Sequence, residues 1–331
     1  MASGSDQNLE PEWLRNLPLR SEDVGFSPEE LVACAACGKA NAPNRPACLY
    51  CGTKIEGVGI TRYDIREPES WENGFSVVVT DTAGANLDQA AAELASLLRT
   101  GRDVMKAILT AGASIPLTRV ESESQAAGVA EKLEQLGIAA VIVADDSLHP
   151  TTPPVRLKSI TFKGDKLELE LFNSGEIRSI ERDDLALIVP GIILEARAES
   201  IEKRKLRGSK TLSETETSSD GRVMDIYSRN DPAGLRIPSS GFDFSCLGPE
   251  KSLTVAENMK KLTARLAEFS PSARLVDDYT KVRLILECAW PTESKRESEH
   301  RGLSRKKVSK IFTSNNLTQL NKYSRLQWRL L

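Results

Sequence analysis

Two hydrophobic periodicities divide the chain. Between residues 72 and 148, helical spacing alternates with short β-branched runs. Phe75 to Thr80 predicts a strand, and Leu87, Ala91, Leu94 and Leu98 share one face of a helix over 86–98. Val104, Ile108 and Leu109 predict a second, shorter helix over 102–111, which Gly112 is placed to end. A strand follows over 115–120. Ser122 then predicts an N-cap, its hydroxyl accepting from the backbone N–H of Ser124 or Gln125. The helix it opens buries Ala126, Val129, Ala130, Leu133 and Leu136, and Gly137 closes it before a final strand over 138–143. The predicted order is β-α-α-β-α-β.

From 153 to 270 the pattern becomes strict alternation. Strands are expected over 155–162, 167–172, 176–180, 185–189 and 192–196, then 223–227, 234–237 and 242–244. The stretch 198–221 lacks that alternation. It carries Lys203-Arg204-Lys205 in its first half and Glu214, Glu216 and Asp220 in its second, and predicts a solvated insertion. Its basic half is a candidate for phosphate or acidic-lipid contact. Val255, Met259, Leu262 and Leu266 predict a helix over 252–269 with Ser252 at its N-cap. A further helix over 277–290 precedes a polar linker over 292–301. A terminal helix over 315–331 carries Leu317, Leu320, Leu326 and Leu330.

Four of the six cysteines change the picture. They read Cys34-Ala-Ala-Cys37-Gly38 and Cys48-Leu-Tyr-Cys51-Gly52, two C-x-x-C pairs ten residues apart. Each pair can turn both sulfurs toward one ion, and the following glycine permits the turn. Four thiolates suit a closed, structural Zn2+ site, with Cys34, Cys37, Cys48 and Cys51 as the ligands. An iron site and a redox dithiol are the alternatives. This segment, 32–56, resembles the zinc-ribbon family. Cys246 and Cys288 sit in apolar stretches and read as buried, inert thiols.

The 72–148 segment resembles the C-terminal domain of ribosomal protein L7/L12. The likeness rests on Phe75-Ser-Val-Val-Val79, Asp103-Val-Met-Lys106 and the run from Ala130 through Gly137 to Val141. That resemblance implies a protein-docking fold. The family's factor-binding surface is basic, whereas residues 75–146 here carry a net charge of -5. Strands closed by one helix over 153–270 resemble a pleckstrin-homology-like domain, which implies an interaction platform.

The expected fold class is therefore multidomain α+β. A polar arm (1–31) holds an amphipathic Trp13-Leu14…Leu17 piece. It precedes the ribbon (32–56), the small α/β domain (72–148), the antiparallel β-rich domain (153–270, insertion 198–221) and a helical basic tail (271–331). The whole chain is near neutral, at -3, but residues 291–331 carry +7. Within this segment Arg305, Lys306 and Lys307, with Tyr323 and Trp328, are candidate partner contacts: cations for encounter, aromatics for lasting contact.

Several function classes fall away. The sequence has no eighteen-residue apolar run and no secretory leader at Met1, so a cytoplasmic protein is expected, free or peripheral to a membrane complex. It has no phosphate-binding loop, no H-E-x-x-H and no nucleophile elbow, and its two histidines lie in linkers. Asp277-Asp278 is better explained as a helix start than as a catalytic pair. The expectation is a noncatalytic accessory or assembly subunit that binds one or more proteins within a larger complex. The alternatives are a ribosome- or RNA-associated factor, and an enzyme without a recognisable motif. An anionic membrane surface is a further candidate for the basic tail.

Overall fold

The computed structural model of the 331-residue chain describes residues 31–42, 45, 48–53, 55, 64–69, 71–148, 152–204, 209–301 and 307–331. The Trp13 piece, Arg305 and Lys306 lie outside the described residues, as do the side chains of 202–204, 209–212, 299–301 and 307. The chain divides into two units, 1–64 and 65–331. It is mixed α+β, and among the described residues no helix is long and apolar enough to cross a membrane.

In the first unit, β1 (Val32–Ala33) pairs antiparallel with β2 (Ala40–Asn41). The second unit opens with β3 (Phe75–Asp81), α1 (Leu87–Leu98), α2 (Arg102–Leu109), β4 (Ile115–Val120), α3 (Glu123–Gln135) and β5 (Ala139–Ala144). This is the expected β-α-α-β-α-β order. β3 lies between β4 and β5, antiparallel to both. Val77, Val78, Leu94, Leu117, Val129 and Leu133 are buried there. Asn86 caps α1 and Ser122 caps α3, the latter accepting from Gln125 N as expected. Gly137 has φ +75°, and a Cβ there would stand 2.9 Å from Gly84 O, so the turn after α3 requires glycine. In α2 the phase differs from expectation. Met105 is buried and Val104 is exposed.

Leu133 is fully buried and Glu131, on the same helix, is exposed. Leu133→Ala should lower unfolding stability by about 2–5 kcal/mol. Glu131→Ala should change it by less than about 0.5 kcal/mol. Urea denaturation of the two variants checks the helix phase, and equal small losses would contradict it.

A nine-stranded sheet forms the rest. It contains β6 (Val155–Lys163), β7 (Lys166–Leu171), β8 (Ile177–Glu181), β9 (Leu185–Arg204), β10 (Ser209–Ser228), β11 (Leu235–Pro238), β12 (Arg274–Leu275), β13 (Glu293–Arg301) and β14 (Lys307–Asn315). Their order is β13-β14-β9-β10-β11-β6-β7-β8, with β12 beside β9. Most pairings are antiparallel; β11–β6 and β12–β9 are parallel.

The insertion expected over 198–221 is not what the described residues there form. Residues 198–204 and 209–221 continue β9 and β10, each 20 residues long, as one paired ladder. Ser213 to Asp220 are exposed throughout, so no buried face imposes a hydrophobic period on them, yet their Thr-rich backbone still pairs. The expected linker over 292–301 is likewise a strand, β13, hydrogen-bonded to β14 in continuous register. The two strands expected around Pro190 are a single strand. On the side of β9 away from β10, Asn316 bonds Ile192 O and Leu194 N. Residues 242–244 make only an isolated bridge at Asp243 before a 3-10 turn over Phe244–Glu250.

Strand periodicity puts two layers on this sheet. Leu157, Leu169, Met224, Ile226 and Ile237 point to one core, closed by α4 (Val255–Phe269) through Met259, Leu262 and Leu266. Thr254, not Ser252, precedes α4 as its N-cap residue. The alternate residues meet α6 (Leu317–Arg329). Tyr227 Oη lies 2.8 Å from Ser324 Oγ, and Arg236, paired with Asp225 at 2.7 Å, donates to Asn321. A Cβ at Gly191 would stand 2.7 Å from Leu320 Cδ1, so the bare backbone admits α6. α5 (Tyr279–Leu286) packs beside it, with Tyr279 and Tyr323 ring centroids 5.3 Å apart.

The helical basic tail is therefore not a free tail. Residues 319–327 are all buried. Lys322 Nζ lies 3.1 Å from Asp145 Oδ1, and Arg119 Nε lies 2.6 Å from Asp145 Oδ2. Arg325 donates to the carbonyls of Leu148, Thr152 and Ala233. Burial pulls the Lys322 ammonium below its ordinary pKa, and Asp145 opposes that shift. The segments read as three separate regions thus share one interior.

Candidate metal centre

Each cysteine pair sits in the same backbone turn. Gly38 N donates to Cys34 O at 2.8 Å and Gly52 N to Cys48 O at 2.9 Å. Both glycines adopt positive φ, +69° and +72°, which a side chain would resist. Cys34 N bonds Lys39 O and Cys48 N bonds Thr53 O, so each turn closes on itself. The short β1–β2 ladder fixes the first turn.

The turns bring the four sulfurs within 4.8 Å of one another. Cys34 Sγ lies 3.7 Å from Cys51 Sγ, and Cys37 Sγ lies 3.6 Å from Cys48 Sγ. All four are free thiols, too far apart for disulfides. A tetrahedron with metal–sulfur bonds of about 2.3 Å has sulfur–sulfur edges of about 3.8 Å. The donor set therefore fits one ion held by four thiolates, with Cys34 and Cys48 buried and Cys37 and Cys51 exposed.

Hydrogen bonds prepare the sulfurs for a cation. Burial pushes the Cys48 thiol up. The N–H groups of Tyr50 and Cys51 and the Asn41 amide outweigh it and bring the pKa to about 6. Thr53 pulls Cys51 below the ordinary thiol value. At Cys37 the Lys39 N–H acts downward, but burial and the three neighbouring sulfurs leave it at about 12. The Cys37 thiol thus holds its proton more tightly than the Cys48 thiol, and a metal ion must displace that proton.

Asn41 is the residue that the cysteine spacing does not reveal. It is buried, its Nδ2 donates to Lys39 O at 2.8 Å and lies 3.4 Å from Cys48 Sγ, and its Oδ1 accepts from Leu49 N at 2.8 Å. It ties the first turn to the second. The available signal was a polar residue in a strand position ahead of the second pair.

The residues between the ligands differ in the two turns. Ala35 and Ala36 fill the first. Leu49 and Tyr50 fill the second, 62% and 57% exposed, with Lys39 Nζ 4.4 Å from the centre of the Tyr50 ring.

Of the other predicted site residues, Tyr323 and Trp328 have described side chains. Tyr323 is fully buried against Tyr279, and Trp328 is half-buried with its indole N–H on Ser228 O. Neither stands out as an aromatic anchor, because the apolar stripe of the terminal helix is satisfied inside this chain. Lys307 heads β14, its side chain outside the description, as are Arg305 and Lys306. Burial raises the pKa of Cys246, and raises that of Cys288 to about 11, consistent with inert thiols.

Compared with family models, curated proteins and solved structures, the chain gives no match.

Proposed function

We propose that this is a noncatalytic accessory or assembly protein, whose ribbon holds a structural zinc ion and docks on a protein partner. The carrying observation is the exposed Leu49–Tyr50 pair, held between two metal-ligating positions. Four thiolates favour zinc over harder ions and leave no open coordination position, which suits a structural role. A metal-pinned turn offers apolar side chains with little backbone entropy left to lose, and such preorganisation favours docking. In this reading the β-α-α-β-α-β part is an L7/L12-like docking module, the β-rich part a pleckstrin-homology-like platform, and the protein works in the cytoplasm.

The test is recovery of crosslinked partners with the wild-type chain and with a Leu49→Ser, Tyr50→Ser variant. The variant should keep its metal and lose most of the recovered protein. Undiminished recovery would count against the tip as the contact. The Lys39–Tyr50 pair favours a second reading, an RNA-associated factor, since a cation beside an aromatic ring suits a stacked base and its phosphate. Nuclease treatment separates the two: recovery that survives nuclease supports protein docking, and recovery that disappears supports RNA.

A further inference from the structure

β13 ends the nine-stranded sheet, and among the described residues no strand pairs with its outer edge. The edge is long and regular. Nine residues, Glu293 to Arg301, run opposite β14 without a register shift. Of the devices that blunt an open edge, this strand lacks a proline and a bulge but carries many charged residues, and the order of those charges decides whether they repel a second copy. Residues Glu293 to Ser298 are all exposed.

The charges along β13 read Glu293, Lys295, Arg296, Glu297, Glu299 and Arg301, with Ser294, Ser298 and His300 between them. In an antiparallel pairing of this strand with itself about Glu297, position 293 falls opposite 301, 294 opposite 300, 295 opposite 299 and 296 opposite 298. Glutamate then meets arginine and lysine meets glutamate, and two-fold symmetry makes each match twice. Directly opposed unlike charges stabilise neighbouring strands. One like-charge meeting is left, Glu297 with its own copy on the axis. Lys295, already ion-paired with Glu297 in the same chain, lies diagonal to it across the axis.

The open stretch of β10 shows the contrast. Ser213 to Asp220 carries Glu214, Glu216 and Asp220 and no cation. Paired antiparallel with itself it sets acid against acid, which is how an edge resists its own copy. β13 carries the opposite arrangement.

We infer that the outer edge of β13 is a homodimer interface, two copies of this chain pairing antiparallel about Glu297 into one continuous sheet. The contact is isologous, so it closes at two copies. Salt weakens it, because charge pairs set its register.

Sedimentation velocity on the full chain over a concentration series tests this. The wild type should show a reversible monomer–dimer equilibrium. Lys295→Glu sets acid against acid twice and should weaken the dimer at least about tenfold. Adding Glu299→Lys to that variant restores the opposed charges and should return the affinity to near the wild-type value. Glu297→Gln removes the repulsion on the axis and should tighten the dimer by a few-fold. Glu216→Lys on β10 should leave it unchanged. Circular dichroism confirms that each variant is folded, and Glu297→Gln keeps the test decisive if Lys295→Glu is not. A chain that stays monomeric at submillimolar concentration overturns the inference. So does a dimer indifferent to both Lys295→Glu and Glu297→Gln, or growth beyond two copies, which would mean β13 meeting a different edge.

Discussion

Stripped of its metal, the segment 32–55 should unfold while residues 65–331 keep their melting transition. Among the described residues of this segment, the buried apolar cluster is Cys34, Cys48 and Ile55, with Val32 beside them. Burying one isoleucine contributes about 1.5–3 kcal/mol. Ordering each residue costs about 1–2 kcal/mol of backbone entropy. Some twenty residues cannot be ordered by so small a core, and in the proposed zinc-bound state coordination bonds supply the difference. Elemental analysis should find one zinc per chain. Cys48→Ser should lose it, and chelation should have the same effect on the wild type. Acid should release the metal, since protons compete with it for each thiolate. Iron in place of zinc would change the species and keep the ligands. A segment 32–55 that stays folded with no metal would remove the basis of the proposal.

Legibility in the sequence followed a physical rule. The cysteine turns were readable because C-x-x-C-G fixes both ligand and backbone within five residues. The β-α-α-β-α-β part was readable because one face of each element is apolar and the other polar, so burial writes a period of two or 3.6 into the chain. β13 contains no apolar residue at all. Neither face of it needs burial, and a strand without a buried face leaves no period to read. The same holds for Ser213 to Asp220. In α2, Val104 and Met105 are neighbours of similar hydrophobicity, and only the packing selects Met105 for the interior.

The terminal helix misled for another reason. Lys322 and Arg325 belong to the +7 counted over residues 291–331, and a lone charge is costly to bury. Their partners, Asp145 and the Leu148 carbonyl, lie 177 residues earlier in the chain. A charged residue can be placed inside only once its partner is known, and local pattern carries no information over that distance. Asn41 is a smaller case, since its value lies in bridging two turns that spacing treats as independent.

Deleting residues 317–331 should abolish the cooperative unfolding of residues 65–331, the opposite of what a removable docking tail would do. α6 contributes Leu320, Tyr323 and Leu326 to the interior, each at most 1% exposed. Losing three such side chains costs about 2–5 kcal/mol apiece when a cavity remains. The deletion also removes Lys322 from Asp145 and Asn321 from Arg236, and opens the Asp225–Arg236 pair to the void. Breaking a buried charge network adds about 3–5 kcal/mol. Together these approach or exceed the roughly 5–15 kcal/mol that hold a domain folded. Lys322→Met is the graded version: similar length, no charge, and Asp145 left with Arg119 and Gly74 N. It should fold with a lowered melting temperature. Calorimetry on both variants decides the matter. A truncated chain that melts like the full-length one would return α6 to the surface and reopen Tyr323 and Trp328 as partner contacts. A truncated chain without a transition leaves partner binding to the parts that stay exposed, the Leu49–Tyr50 tip and the edge of β13.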